Sequence, residues 1–229
     1  MAFDNTGDMP SIEIETAASP DASVILLHGL GDDGRGWSDI VRSLPLPAGA
    51  AIRFVFPHAP VMPVSINNGM RMRAWYDIKA ANLNERADLS GVRASQAILE
   101  GLVTREVARG IPARRIVVAG FSQGGAIALY AGLRHRERLA GIVALSTYLI
   151  DGAALAAEAS DANRDVPIFM AHGLHDPVVQ YAWAEASRAA LVAQGYAVDW
   201  HAYPMEHSAT LEEVADIARF LARVLRLGP

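Results

Sequence analysis

The sequence predicts an α/β fold: a mostly parallel central sheet with helices on both faces. Three observations carry this expectation. Continuous apolar runs, among them Ser23–Leu27, Ile116–Ala119 and Val166–Ala171, have the pattern of strands covered on both sides, as parallel strands are. Other segments place apolar residues at helical spacing. The two kinds alternate for most of the length, the order expected of parallel strands joined by crossover helices.

Taken in order, residues 1–10 read as a loose end. Ile12–Thr16 alternates apolar and polar residues, the period of a half-exposed strand. Ser23–Leu27 is the first buried strand, followed by a loop rich in glycine (Gly29, Gly31, Gly34, Gly36) and a short helix over Trp37–Leu44. Ile52–Phe56 is the next strand. Pro57–Ala74 holds Pro57, Pro60, Pro63 and Asn67-Asn68-Gly69, and reads as a long irregular loop of the kind that is usually functional or mobile. Val92, Gln96, Leu99, Val103 and Val107 then fall at helical spacing, and Gly110 and Pro112 end that helix. The remaining elements are strand Ile116–Ala119, helix Gly124–Leu133, strand Gly141–Leu145, strand Val166–Ala171, helix Tyr181–Gln194, strand Val198–Ala202 and helix Ala209–Leu227. With no repeat, low-complexity tract or linker, residues 1–229 read as one domain.

Composition narrows the function. A chain of 229 residues buries enough apolar surface to need no staples. Its 52% apolar and 20% charged content is that of an ordinary globular protein. A net charge of −5 without a basic stripe argues against nucleic acid as the partner. The absence of cysteine excludes disulfides, cysteine-based zinc sites and a cysteine nucleophile; it fits a reducing, cytoplasmic setting. MAFDNTGDMP lacks the charged start and apolar stretch of a secretory signal, and no apolar run reaches the ~18 residues of a membrane span.

Gly120-Phe121-Ser122-Gln123-Gly124 matches G-x-S-x-G. Alone the pentapeptide is a weak signal, since a tight strand-to-helix turn needs no chemistry. Here it follows a β-branched strand and opens a helix, the setting of a nucleophile elbow. Such a turn forces the serine into a strained backbone, and the flanking residues must lack side chains. The helix N-terminus adds partial positive charge where negative charge develops.

Ser122 needs a base to become nucleophilic. In such sheets the partners follow in the order Ser, Asp or Glu, His, which excludes His28 and His58. His135 sits at a helix C-terminus, where a solvated role is expected. His201 lies inside the last strand. His207, in the loop Pro204–Ser208, is the best placed. Asp176 follows the strand Val166–Ala171 and is held by Pro177; it would fix the tautomer of His207. Asp151 is the runner-up, and Asp161 and Asp165 read as surface residues. His172 and His175 beside Asp176 raise a metal site, but three-residue spacing in a loop does not fix ligand geometry. The backbone N–H of Gln123 and that of Leu30, in the His28–Gly31 loop, are the candidate oxyanion donors.

LLHGLGDDGRGW, FPHAP, MRMRAWYDI, GFSQGGAIALY, HGLHDPVV and YPMEHS together resemble, in order and spacing, the acyl-protein thioesterase and small carboxylesterase (lysophospholipase-like) family of α/β hydrolases. The resemblance runs from about Ser23 to the C-terminus. It implies an α/β-hydrolase fold without a large cap, Ser122 as nucleophile, Asp176 as acid, His207 as base, and Leu30 and Gln123 as oxyanion donors. It also implies Trp75 as a wall of the acyl pocket, beside the plainer reading of a packed aromatic. The family usually has glycine before the catalytic histidine. Here Glu206 stands there, and its charge either supports protonated His207 or faces solvent.

The expected activity is hydrolysis of a small acyl ester or thioester, with no metal or organic cofactor. Long acyl chains, as on acyl-proteins or lysophospholipids, are the alternative. Val61, Met62, Val64, Ile66 and Met70 would cover such a chain, pack on the sheet, or pair two copies as a homodimer. A catalytically silent ligand-binding protein and a peptidase are the rivals. The complete Ser, Asp and His set speaks against the first, and the lack of an inserted cap against the second.

Overall fold

Strands Ala22–Leu27, Gly141–Leu145 and Ile168–Gly173 are buried along their whole length, which is why their sequences run apolar without alternation. The computed structural model describes residues 9–80, 82 and 87–228. Its strands are β1 (Ser11–Glu15), β2 (Ala22–Leu27), β3 (Ile52–Pro57), β4 (Val61–Val64), β5 (Met70–Arg73), β6 (Ile116–Phe121), β7 (Gly141–Leu145), β8 (Ile168–Gly173) and β9 (Val198–Tyr203). Its helices are α1 (Gly34–Ser38), α2 (Ile40–Ser43), α3 (Leu89–Ala108), α4 (Gln123–Arg134), α5 (Gly152–Glu158), α6 (Tyr181–Ala193) and α7 (Leu211–Val224).

Seven strands form one sheet in the order β1-β3-β2-β6-β7-β8-β9. β1 is antiparallel to β3, and every other pairing in this sheet is parallel. One face packs on α3, α4, α5 and α6 through residues such as Leu99, Leu102, Ile127, Leu155 and Leu191. The other packs on α2 and α7 through Ile40, Val214, Ile217, Phe220 and Leu221. The fold is that of an α/β hydrolase, with no large cap among the described residues. Among the described residues no helix is long and apolar enough to cross a membrane.

Three local expectations change. Pro57–Ala74 is not an irregular loop. β4 and β5 pair antiparallel, Val61 opposite Arg73 and Val64 opposite Met70, around a left-handed Asn68 (φ 55°). A free-standing two-stranded ribbon tolerates Pro63 because its outer edge needs no donor. The helix over Trp37–Leu44 is two short helices that meet at Asp39. His135 is buried rather than solvated, because Asn163 packs on the end of α4 and donates to the His135 carbonyl at 2.8 Å. Residues 1–8 of the expected loose end lie outside the described residues; the Pro10 carbonyl accepts the His58 N–H at 2.9 Å.

Candidate active site

The strand order reverses between β2 and β6: β3 lies outside β2, and β7 outside β6. Ligand crevices form beyond the carboxyl ends of strands at such a point. Ser122 follows β6 there, and the loop His28–Gly31 follows β2.

Ser122 joins β6 to α4 with φ 53° and ψ −119°. A side chain at positive φ stores roughly 1–3 kcal/mol of strain. The surroundings hold it. Its N–H donates to the Leu145 carbonyl at 2.8 Å, and the Thr147 hydroxyl donates to its carbonyl at 2.7 Å. The flanking glycines answer to space. A Cβ on Gly120 would lie 2.2 Å from the Gly124 carbonyl carbon, and one on Gly124 would lie 2.2 Å from the Leu27 carbonyl oxygen. Neither residue can carry a side chain while the turn stays this tight.

His207 Nε2 is 3.0 Å from Ser122 Oγ. Its Nδ1 is 2.7 Å from Asp176 Oδ2. With Nδ1–H donating to the carboxylate, Nε2 is left to accept the serine proton. The imidazole packs against the Phe121 ring, and Phe121 against Trp37, with centroids 4.7 and 4.9 Å apart.

The Asp176 side chain is fully buried. Burial alone would raise its pKa. Hydrogen bonds from His172 and His207, and from the amides of Val179 and Val178, outweigh burial and hold the carboxyl well below the usual carboxylate range. Both amides bond Oδ1, at 2.8 and 2.9 Å, which leaves Oδ2 turned to His207.

The other titratable residues are otherwise engaged. The buried His28 donates from Nδ1 to the Gly29 carbonyl at 2.7 Å and accepts the Ala59 N–H at Nε2 (3.0 Å); desolvation lowers its pKa. His58 Nδ1 accepts the Gly34 N–H. His201 bonds Asp199 and stacks on Phe169. Asp151 sits at the left-handed start of α5, and Asp161 and Asp165 are exposed. His172 Nε2 lies 2.8 Å from the Val179 carbonyl and 3.3 Å from Asp176 Oδ2, its one N–H shared between them, while His175 faces solvent. Among the described residues no group of three or more His, Cys, Asp or Glu is placed to hold a metal ion. The Glu206 side chain is exposed.

Leu30 lies in the loop after β2 and Gln123 is the first residue of α4, next to Ser122. A Cβ on Gly29 would come within 3.5 Å of Ser122 Cβ, so the His28–Gly31 backbone borders Ser122. Gln123 opens α4, where a backbone N–H has no acceptor inside the helix. Sequence reasoning missed what its side chain does. Oε1 accepts the Trp75 N–H at 2.8 Å and Nε2 donates to the Tyr76 carbonyl at 2.7 Å. The Trp75 indole N–H donates to the His28 carbonyl at 2.9 Å. Trp75, 1% exposed, thus ties the β2 loop to the start of α4.

Gly173, at the end of β8, was also missed. A Cβ there would lie 2.4 Å from the carbonyl oxygens of both Met205 and Glu206. The chain leading into His207 crosses directly over this glycine. A glycine two residues before His175-Asp176-Pro177 was the available signal, and spacing alone does not say what passes above it.

A family profile described as Phospholipase/Carboxylesterase matches residues 9–225. Acyl-protein thioesterase 1 of Neurospora crassa is 42% identical over 225 residues, covering 94% of this chain and 92% of that protein. The Yarrowia lipolytica protein of the same name is 40% identical over 217 residues, covering 93% and 96%. Among solved structures, Zea mays acyl-protein thioesterase 2 superposes with a TM-score of 0.83 at 32% identity, covering 95% of this chain and 99% of that one. The chain belongs to the phospholipase/carboxylesterase family of α/β hydrolases.

Proposed function

We propose that the protein hydrolyses acyl esters and thioesters through Ser122, His207 and Asp176, by way of an acyl-enzyme. The observation that carries this is the continuous line of hydrogen bonds Ser122 Oγ, His207 Nε2, His207 Nδ1, Asp176 Oδ2, at 3.0 and 2.7 Å.

Ser122 Oγ attacks the carbonyl carbon as its proton passes to His207 Nε2. The imidazolium is stabilised by the buried Asp176 carboxylate. Negative charge on the carbonyl oxygen meets the backbone N–H groups of Leu30 and Gln123, each worth roughly 3 kcal/mol in the transition state. The C–O or C–S bond breaks, and the leaving alcohol or thiol takes the proton from His207. Water then attacks the acyl-enzyme, again giving its proton to His207, and releases the acid and free Ser122. Each cycle consumes one water and restores every group.

The thioesterase reading on long acyl chains is supported by the names of the relatives. It is also supported by the hairpin beside the site. The Gly31 N–H donates to the Arg73 carbonyl at 2.9 Å, which anchors β5 to the oxyanion loop. Met62 and Met72 pack on the core, while Val61, Ile66 and Met70 stay exposed, an apolar border for a chain leaving Ser122. A homodimer would use the same three residues, and sedimentation of wild type beside Met70→Glu tests it. A cytoplasmic setting suits the cysteine-free chain, and cell fractionation tests that.

The deciding experiment compares wild type with Ser122→Ala on p-nitrophenyl esters and acyl thioesters of increasing chain length. The variant loses essentially all turnover and all labelling by a fluorophosphonate. Equal rates in the two proteins would remove the reading.

A further inference from the structure

We infer that a second site, for a phosphate-bearing ligand, lies at the edge of the sheet opposite the triad. The residues entering β6, β7, β8 and β9 converge there with the last turn of α7, around a cleft of about 1010 Å³. A cleft this large is in the range that takes small organic ligands. The six-residue β6 separates it from Ser122 by roughly 20 Å.

Its charge runs against that of the molecule. Arg114, Arg115, Arg138, Arg223 and Arg226 line it, a quarter of the 20 basic residues in a chain of net charge −5. Among the described residues only two carboxylates, Asp165 and Asp199, stand on the same lining, and both are engaged. Asp165 binds Arg138. Asp199 binds Arg223 at 2.6 Å and His201 at 3.0 Å. Arg115 is held by Asp21 at 2.6 Å and by the Leu225 carbonyl. Arg114 and Arg226 are exposed and have no carboxylate partner among the described residues.

The arrangement divides the work. Three guanidinium groups are fixed by their partners and shape the wall. Two carry uncompensated charge at the rim, and the left-handed residue that follows α7, Arg226 (φ 48°), is one of them. Planar guanidinium forks match phosphate oxygens two at a time. Apolar residues share the lining, Leu139, Ile168, Val198 and Val224 among them. Apolar side chains beside unpaired guanidinium groups suit an organic phosphate, its anionic group drawn to Arg114 and Arg226 and its carbon part to the apolar lining. A soluble phosphoester and an anionic lipid headgroup share that chemistry.

The test uses the full-length protein at low ionic strength. Calorimetric titration with pyrophosphate and co-sedimentation with phosphatidylglycerol vesicles, phosphatidylcholine vesicles serving as control, separate the two sources. Wild type binds at least one of these probes. In Arg114→Gln/Arg226→Gln affinity falls about tenfold or more, the loss expected when two charge-assisted contacts go, while ester turnover stays unchanged. Added salt weakens the wild-type interaction, because the rim charges are exposed. Failure of wild type to bind either probe, or equal affinity in the double variant, overturns the inference. Phenylglyoxal modification of Arg114 and Arg226 in wild type, read by mass spectrometry, decides the same question without a variant: the bound probe protects both residues, and absence of protection overturns the inference.

Discussion

Gly173→Ala tests the geometry of the triad without touching any of its members. The added Cβ would sit 2.4 Å from the Met205 and Glu206 carbonyl oxygens, where side-chain carbons essentially never come closer than 3.0 Å. Both contacts are backbone, so no side chain can swing aside. The strand below is fully buried and is paired with β7 up to Ala171 and with β9 through Gly173, so the yielding part is taken to be the segment 205–207. It must retreat by at least about 0.6 Å, and if His207 follows, its 3.0 Å contact with Ser122 Oγ opens to about 3.6 Å, beyond the ~3.2 Å reach of a working base. Misplacement by about 1 Å can lower a rate ~100-fold. The expected result is a 30- to 100-fold fall in kcat on p-nitrophenyl butyrate, to this order, with KM changed less than about threefold because the acyl site is untouched. Overpacking should also remove roughly 1–3 kcal/mol of stability, so circular dichroism at the assay temperature must show a folded variant. Fluorophosphonate labelling should slow in parallel with kcat. A folded Gly173→Ala enzyme with kcat within about threefold of wild type would refute the claim that this glycine sets the position of His207.

Asp176→Asn keeps the shape but offers His207 Nδ1 no carboxylate, and kcat should fall ~10⁴-fold, with little recovery at any pH, as expected of a lost tautomer lock; a loss under tenfold argues against Asp176 as the acid. Trp75→Phe removes the donor to the buried His28 carbonyl, and kcat should drop about tenfold at steady KM if the bond positions the oxyanion loop; a change in KM confined to long acyl esters would instead make Trp75 a pocket wall. Glu213 is fully buried, and among the described residues no hydrogen bond of ordinary geometry reaches either carboxyl oxygen. Burial, eased only by the Thr210 backbone, pushes its pKa up to about 7 from 4.5. The fold therefore favours the neutral form: the penalty is absent below pH 4.5, grows as pH rises to about 7, and is complete above it, at roughly 3 kcal/mol. Glu213→Gln should raise Tm by roughly 5–10 °C at pH 8 and leave it unchanged near pH 4.5, on the usual scaling for this size; an equal shift at both values refutes ionisation as the cause.

The sequence announced most clearly those elements whose neighbours cover them evenly. β2, β6 and β8 are buried on both faces and read as apolar runs. β4 and β5 escaped because a two-stranded ribbon needs no such run, and Pro63 reads as a loop residue. α5 escaped because Gly152–Glu158 is mostly alanine and buries Leu155 alone, which leaves no period to detect. At the site, the meeting of Ser122, Asp176 and His207 in one line of hydrogen bonds could be anticipated because each follows a strand in a fixed order along the chain. The clamp by the Gln123 side chain and the crossing over Gly173 were not. Both depend on which backbone from a distant segment passes within 3 Å, and a linear pattern does not carry that.

His207 hangs from β9, the strand at the rim of the sheet, which pairs with β8 alone and is only half covered along most of its length. Ser122 and Asp176 rest on the interior strands β6 and β8. Local opening begins where contacts are fewest, so the imidazole should be the first of the three to be lost as the molecule loosens. Mild heat or urea should then abolish turnover before the circular-dichroism signal of the sheet falls, and turnover should return when the last strand and its helix dock again.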